Sequence, residues 1–199
     1  MTNRVGILGY QGCIEPHEKI FRSLGVDTIR VKTAEDLLNI ERLILPGGES
    51  TTMLRFIEAQ RLRTPLKEFA TSRPVWGICA GAILAAHDVR GPDQDSLGII
   101  NITAYRNFYG SQLASFSAQL RVQGLAAPIA AQFIRAPLLS PAEALPTPAV
   151  LAYHERTPVF FEQTNVWACS FHVELGDDTS LHELFLRKAA SLEPLAQIA

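Results

Sequence analysis

The chain has 199 residues, 47% of them hydrophobic and 19% charged, a length and balance suited to one well-filled α/β domain over residues 1–199. A net charge of −2 gives no electrostatic ground for binding nucleic acid or an anionic membrane, and no apolar run reaches the roughly 18 residues that cross a bilayer. Three cysteines, Cys13, Cys79 and Cys169, lack CxxC spacing, which argues against a disulfide framework or a thiolate zinc site and fits a reducing cytoplasm.

The first half alternates strands and helices. Val5 to Tyr10 is apolar and reads as a first strand, with no signal-peptide character. Glu15 to Leu24 has helical periodicity and stops at Gly25, a C-cap residue. Asp27 to Val31 is a second strand, Thr33 to Leu38 a short capped helix, and Arg42 to Leu45 a third strand that breaks at Pro46-Gly47-Gly48-Glu49-Ser50. Helices follow at about Thr52 to Gln60 and Thr64 to Ser72. A strand then ends near Gly77, and an Ala-rich helix starts at about Ala80. This is the βαβα order of a parallel sheet covered by helices on both faces. The second half is richer in short strands: Ile102 to Tyr105, Ser117 to Val122, Ile129 to Ile134, Val150 to Tyr153, Val159 to Glu162 and Val166 to Phe171. Ser140 to Pro148 reads as a Pro-punctuated connection, and a helix from about Ser180 to Ser191 closes the chain.

Cys79 falls on the sharp turn between a strand and a helix, flanked by Gly77, Ala80 and Gly81, small enough to let the chain fold tightly and present one side chain. A helix N-terminus stabilises a thiolate, and its N–H groups can hold the oxyanion formed when that thiolate attacks a carbonyl. His172 and Glu174 sit two residues apart at the end of a later strand. Alone they read as a surface pair; with Cys79 they read as a base and the carboxylate that orients it. The Gly47–Gly48 turn is either a plain β-to-α turn or a nest of backbone N–H groups for a substrate oxygen, and it lacks the lysine of a nucleotide P-loop. In open α/β sheets ligands bind beyond the carboxyl ends of the strands, where Gly47, Cys79 and His172 all fall. Cys169 reads as a buried small hydrophobe, and Cys13 as a thiol without a local base. His17, His87, His154 and His182 have no metal-ligand spacing and read as solvent or capping residues; Trp76 and Trp167 read as core.

The three segments Pro46-Gly-Gly-Glu-Ser50, Gly77-Ile-Cys-Ala-Gly81 and Ser170-Phe-His-Val-Glu174 together resemble the class I glutamine amidotransferases, the triad glutaminases. More narrowly, Leu45-Pro-Gly-Gly-Glu-Ser-Thr-Thr-Met53, Arg106-Asn-Phe-Tyr-Gly-Ser-Gln112 with Ser115-Phe116, and Phe133-Ile-Arg-Ala-Pro137 resemble the glutaminase subunits of pyridoxal 5′-phosphate synthases. The resemblance runs from Val5 to the last helix. It implies a three-layer, mostly parallel sheet flanked by helices, flavodoxin-like, with a nucleophile elbow. It also implies Cys79 as nucleophile, His172 as general acid/base and Glu174 as its orienting partner. Gly47, Gly48, Glu49, Arg106, Ile134 and Arg135 would line the glutamine site, and Gln11 a loop near the oxyanion hole and the partner contact. The implied partner is a synthase (lyase) subunit in a large hetero-oligomer, with no cofactor or metal in this chain. Two positions depart from the family pattern: Ile78 where Thr is common, and Val173 where Pro is common. The rival readings are a triad glutaminase serving another pathway, which leaves the Arg106 and Phe133 blocks without a role, and a redox-sensing or binding relative, which needs no His172–Glu174 pair.

Overall fold

The computed structural model describes residues 4–106 and 115–188. Its first half runs β1 (Arg4–Leu8), α1 (Ile14–Ser23), β2 (Asp27–Val31), a 3-10 turn (Glu35–Asn39), β3 (Arg42–Leu45), α2 (Ser50–Ala59), α3 (Arg63–Ser72), β4 (Val75–Ile78) and α4 (Ala80–Ala85). The second half runs β5 (Ala86–Arg90), β6 (Ile100–Tyr105), β7 (Phe116–Leu120), β8 (Ile129–Phe133), β9 (Leu138–Pro141), β10 (Ala149–His154), β11 (Thr157–Gln163), β12 (Val166–Cys169) and α5 (Ser180–Arg187). No helix among the described residues is long and apolar enough to cross a membrane.

The central sheet has seven strands in the order β10-β11-β12-β4-β3-β1-β2. From β12 to β2 every pair is parallel, while β10 and β11 join as an antiparallel extension. Side chains alternate across it with the two-residue period of a strand. Leu43, Leu45, Val75, Val166 and Ala168 face one apolar layer, closed by Met53 and Ile57 of α2 and Leu66 and Phe69 of α3. Ile44, Trp76, Ile78, Trp167 and Cys169 face the other, closed by Ile14 and Phe21 of α1 and Phe185 of α5. β4 and β12 are buried at every residue, as strands covered on both faces must be. A three-stranded sheet, β5-β6-β9, extends the first layer, and the β7–β8 ribbon caps the second.

Local chemistry sets the ends of the elements. α1 stops in a Schellman motif: Gly25, at φ +70°, donates to the Arg22 carbonyl (3.1 Å), and Val26 donates to that of Phe21 (2.9 Å). The helix expected over Thr33 to Leu38 is a 3-10 turn instead, because the Asp36 carboxylate reaches back to the N–H groups of Lys32 and Thr33 (2.8 and 2.9 Å) and anchors a tighter coil. Two strands differ from expectation. β5 follows α4 without a glycine or proline between them, and β9 occupies the start of the segment expected to be a connection, with Pro141 at its last residue. α4 has only six residues, too few to persist alone, and all six are buried, so packing holds it.

Candidate active site

Cys79 sits between β4 and α4 at φ +49°, ψ −103°, a conformation that costs a non-glycine residue about 1–3 kcal/mol. The surroundings hold it there. Its N–H donates to the Cys169 carbonyl of β12 (2.8 Å), and its own carbonyl accepts from Ile83 (3.1 Å). The turn closes only because its flanks lack side chains: a Cβ on Gly77 would stand 2.6 Å from the Gly81 carbonyl oxygen, and one on Gly81 would stand 1.8 Å from that of Leu45. Cys79 is 8% exposed and borders a cavity of about 280 Å³, with the Ile134 carbonyl 3.9 Å from its sulfur.

His172 comes from the other half of the chain. Beyond β12 its backbone is clamped to Gln132 of β8 by reciprocal hydrogen bonds of 2.8 and 2.7 Å. Its Nδ1 lies 2.6 Å from Glu174 Oε1, and Glu174 Oε2 accepts the Val173 N–H at 3.0 Å. Both residues are buried. Burial opposes charge on the imidazole, but hydrogen bonds with the Cys13 and Cys79 thiols and with Glu174, and the Glu174 charge, outweigh it and push its pKa up to about 12. Burial likewise opposes the Glu174 carboxylate, yet the His172 hydrogen bond and the neighbouring imidazoles lower its pKa to about 2. The pair is therefore poised as imidazolium and carboxylate.

Other expected residues gather around the same cavity. Gln11, Gly48, Glu49, Arg106, Ile134 and Arg135 line it. Gly47 lies against the base: a Cβ there would stand 2.3 Å from His172 Cε1. Two loops are zipped together at its edge, with the Gly47 carbonyl accepting from Cys13 N–H (2.9 Å) and the Gln11 side-chain oxygen accepting from Glu49 N–H (2.8 Å). Arg135 pairs with Glu49 at 3.2 Å, both more than half exposed, and Arg106 reaches the Thr51 hydroxyl at 3.3 Å. Residues 107–112 of the Arg106 block lie outside the described residues. The volume is at the small end of ligand pockets, which run upward from about 300 Å³, and fits an amino acid better than a nucleotide.

Three expectations need correction. Cys13 does have a local base, since its sulfur lies within 4.8 Å of a His172 ring nitrogen and it lines the cavity. His17 and His182, expected at solvent or caps, are fully buried and contact each other, Nδ1 to Nε2, at 2.9 Å. Periodicity holds the signal for both. His17 shares a helical face with Ile14 and Phe21, and His182 is bracketed by the buried Leu181 and Phe185. Cys169 is inert, its thiol pushed far up by burial.

Cys13, His172 and Glu174 offer sulfur, nitrogen and oxygen within 4.8 Å of one another, the one group among the described residues able to hold a metal. However, the His172–Glu174 contact of 2.6 Å is closer than the ~3.3 Å that two ligands of one tetrahedral zinc keep, so a proton rather than an ion joins them.

A strained cysteine at a strand-to-helix elbow, faced by a His–Glu pair across a parallel sheet, defines a class I, triad-type amidotransferase. A solved structure described as a glutamine amidotransferase superposes with TM-score 0.85 at 36% identity, covering 92% of this chain and 96% of that one. The chain belongs to the SNO glutamine amidotransferase family, which matches residues 7–191. Similar proteins include pyridoxal 5′-phosphate synthase subunit PdxT of Shouchella clausii, 40% identical over 188 residues (94% of this chain and 95% of that protein). The protein of the same name from Bacillus licheniformis is 42% identical over 183 residues, 92% of each chain.

Proposed function

We propose that this chain hydrolyses L-glutamine to L-glutamate and ammonia and delivers the ammonia to the synthase (lyase) subunit of a cytoplasmic pyridoxal 5′-phosphate synthase, within a hetero-oligomer. The observation that carries the reading is the Cys79 elbow with a hydrogen-bonded His172–Glu174 pair beside it. His172 already holds the proton of Cys79 as an imidazolium, and the thiolate attacks the side-chain amide carbon of glutamine. The resulting oxyanion is held by backbone N–H groups at Ala80 and the Gly47–Gly48 turn. His172 then protonates the leaving nitrogen as the C–N bond breaks, giving ammonia and a γ-glutamyl thioester. Water, deprotonated by His172, cleaves the thioester to glutamate and restores the thiolate and the imidazolium. Glu174 keeps the imidazole in the required tautomer throughout.

A free amino acid carries a carboxylate and an ammonium, and the cavity has a group for each. Arg106 and Arg135 are the cations for the carboxylate, with Glu49 the anion for the ammonium and Ile134 bordering the reacting amide. The exposed Arg135–Glu49 pair is weak enough to exchange for such a ligand. The zipped loops around Gln11 and Gly47 are where a docking synthase would act, so the subunit alone idles until its partner arrives. The test is ammonia release from glutamine by wild type and Cys79→Ala, each with and without the synthase subunit. Wild type should be stimulated by the partner, and Cys79→Ala should lose on the order of a thousandfold or more. Full activity without the synthase would refute the idling, and turnover by Cys79→Ala would refute the nucleophile.

A further inference from the structure

The reaction above leaves two buried histidines behind the triad without a task. His17 of α1 and His182 of α5 are wholly shielded from solvent, and both rings stand edge-on to Trp76 of β4. With His17 Nδ1 and His182 Nε2 2.9 Å apart, a single proton lies between them. The far nitrogen of His17, Nε2, faces Glu174 Oε2 at 4.0 Å and has no hydrogen-bond partner. A buried polar atom left bare is costly enough to call for a reason.

The carboxylate decides where the protons sit. If His17 donated from Nδ1 to His182, its bare Nε2 lone pair would face the Glu174 charge, which is repulsive. If His182 Nε2–H donates to His17 Nδ1, then Nε2 carries the hydrogen and points it at Oε2, which is attractive. Burial, with His172 assisting and Glu174 opposing, lowers the His17 pKa to about 4, so at neutral pH it acts as a dipole and not as a second cation. The groups facing it are Glu174 and His172, from one segment, and His182 of α5. The gap of 4.0 Å is too long for a hydrogen bond as it stands, and contacts of this kind tighten once the reacting complex forms.

We propose that His17 is a positioning residue for the glutaminase reaction: its Nε2–H closes on Glu174 Oε2 and holds that carboxylate ionised and aimed at His172, with His182 fixing the tautomer. This rests on the reading of Cys79, His172 and Glu174 as a glutaminase triad. The test compares wild type, His17→Leu and His17→Gln with the synthase subunit present, the glutamine side chain placing an N–H where Nε2–H stood. The first readout is steady-state kcat and KM for glutamine. The second is the pH profile of Cys79 alkylation by iodoacetamide, followed by peptide mass, which needs no turnover. His17→Leu should lower kcat about tenfold or more, as loss of a hydrogen bond to a charged group does, leave KM within about twofold, and move alkylation to higher pH. His17→Gln should recover most of both. Leu and Gln variants alike in kcat and alkylation, whether intact or impaired, would overturn the proposal. Should His17→Leu fail to unfold cooperatively, His182→Phe removes the tautomer-fixing donor while leaving His17 in place. A kcat loss at constant KM would support the proposal there, and wild-type kinetics would overturn it. Absence of ammonia release by wild type would instead sink the glutaminase reading, with the alkylation profiles still reporting on His17.

Discussion

Gly47 has no room for even a methyl group, because its missing Cβ would lie 2.3 Å from His172 Cε1 and 3.1 Å from Nδ1. The obstacle is a side chain, which can yield where backbone cannot. Gly47→Ala should therefore push the imidazole off Glu174 and Cys79 while barely moving the thermal midpoint. Misplacement of a catalytic group by about 1 Å costs roughly a hundredfold, so kcat should fall by that order with circular dichroism unchanged. An unaltered kcat would show that the ring shifts without consequence. At this scale the sequence was most informative where a residue type is unusual for its context, as with a cysteine between glycines. It was least informative where the partner is distant. Cys13 gave no sign of a base because His172 reaches it from the far end of the chain. His17 and His182 gave none because each is explained only by the other.

At the scale of elements, the elbow depends on backbone closeness. A Cβ on Gly81 would meet the Leu45 carbonyl oxygen at 1.8 Å and its carbon at 2.5 Å, both main-chain atoms of β3. Gly81→Ala cannot be absorbed by a rotamer change and must part α4 from the sheet. We expect a loss of more than about 4 kcal/mol in denaturant-monitored unfolding, the range reached only by such severe conflicts. A loss under about 1 kcal/mol would mean that α4 slides freely. The parallel strands were legible because residues such as Arg42-Leu-Ile-Leu45 are apolar runs bounded by clear breaks. β5 was not, since Ala86-His-Asp-Val-Arg90 continues an alanine-rich helix with no breaker, and only its pairing with β6 makes it a strand. β9 was hidden by the proline at its end, which its place at the sheet edge tolerates.

For the whole molecule, the buried histidines set the response to acid. In the folded chain the pKa of His17 falls from 6.5 to about 4 and that of His182 to about 3, in both cases chiefly by burial. Below pH 6.5 the unfolded chain takes up protons that the folded chain refuses, so stability drops as pH falls through that value. The slope is about 1.4 kcal/mol per pH unit for each histidine. Glu174, with its pKa lowered to about 2, adds its own loss only below its ordinary 4.5. His172, raised, works the other way as pH falls towards 6.5, and only well below that value is it protonated in both states and without effect. Urea midpoints should therefore decline steadily from pH 6 to pH 5, and the decline should flatten when His17→Gln is combined with His182→Phe. Equal midpoints at pH 6 and pH 5 would contradict the assignment.

The pairing of β4 with β12, Ile78 opposite Cys169, has a consequence in time. A chain emerging from the ribosome completes β4 and its cysteine long before β12 exists. Through that interval the thiol stands at an unpaired sheet edge with neither base nor carboxylate, a side chain with no reaction to perform. Reactivity is conferred last, when the β10–β11–β12 meander docks and brings His172 and Glu174 with it. The same seam works in reverse: loosening of that meander would disarm the cysteine while β1 to β4 remained paired.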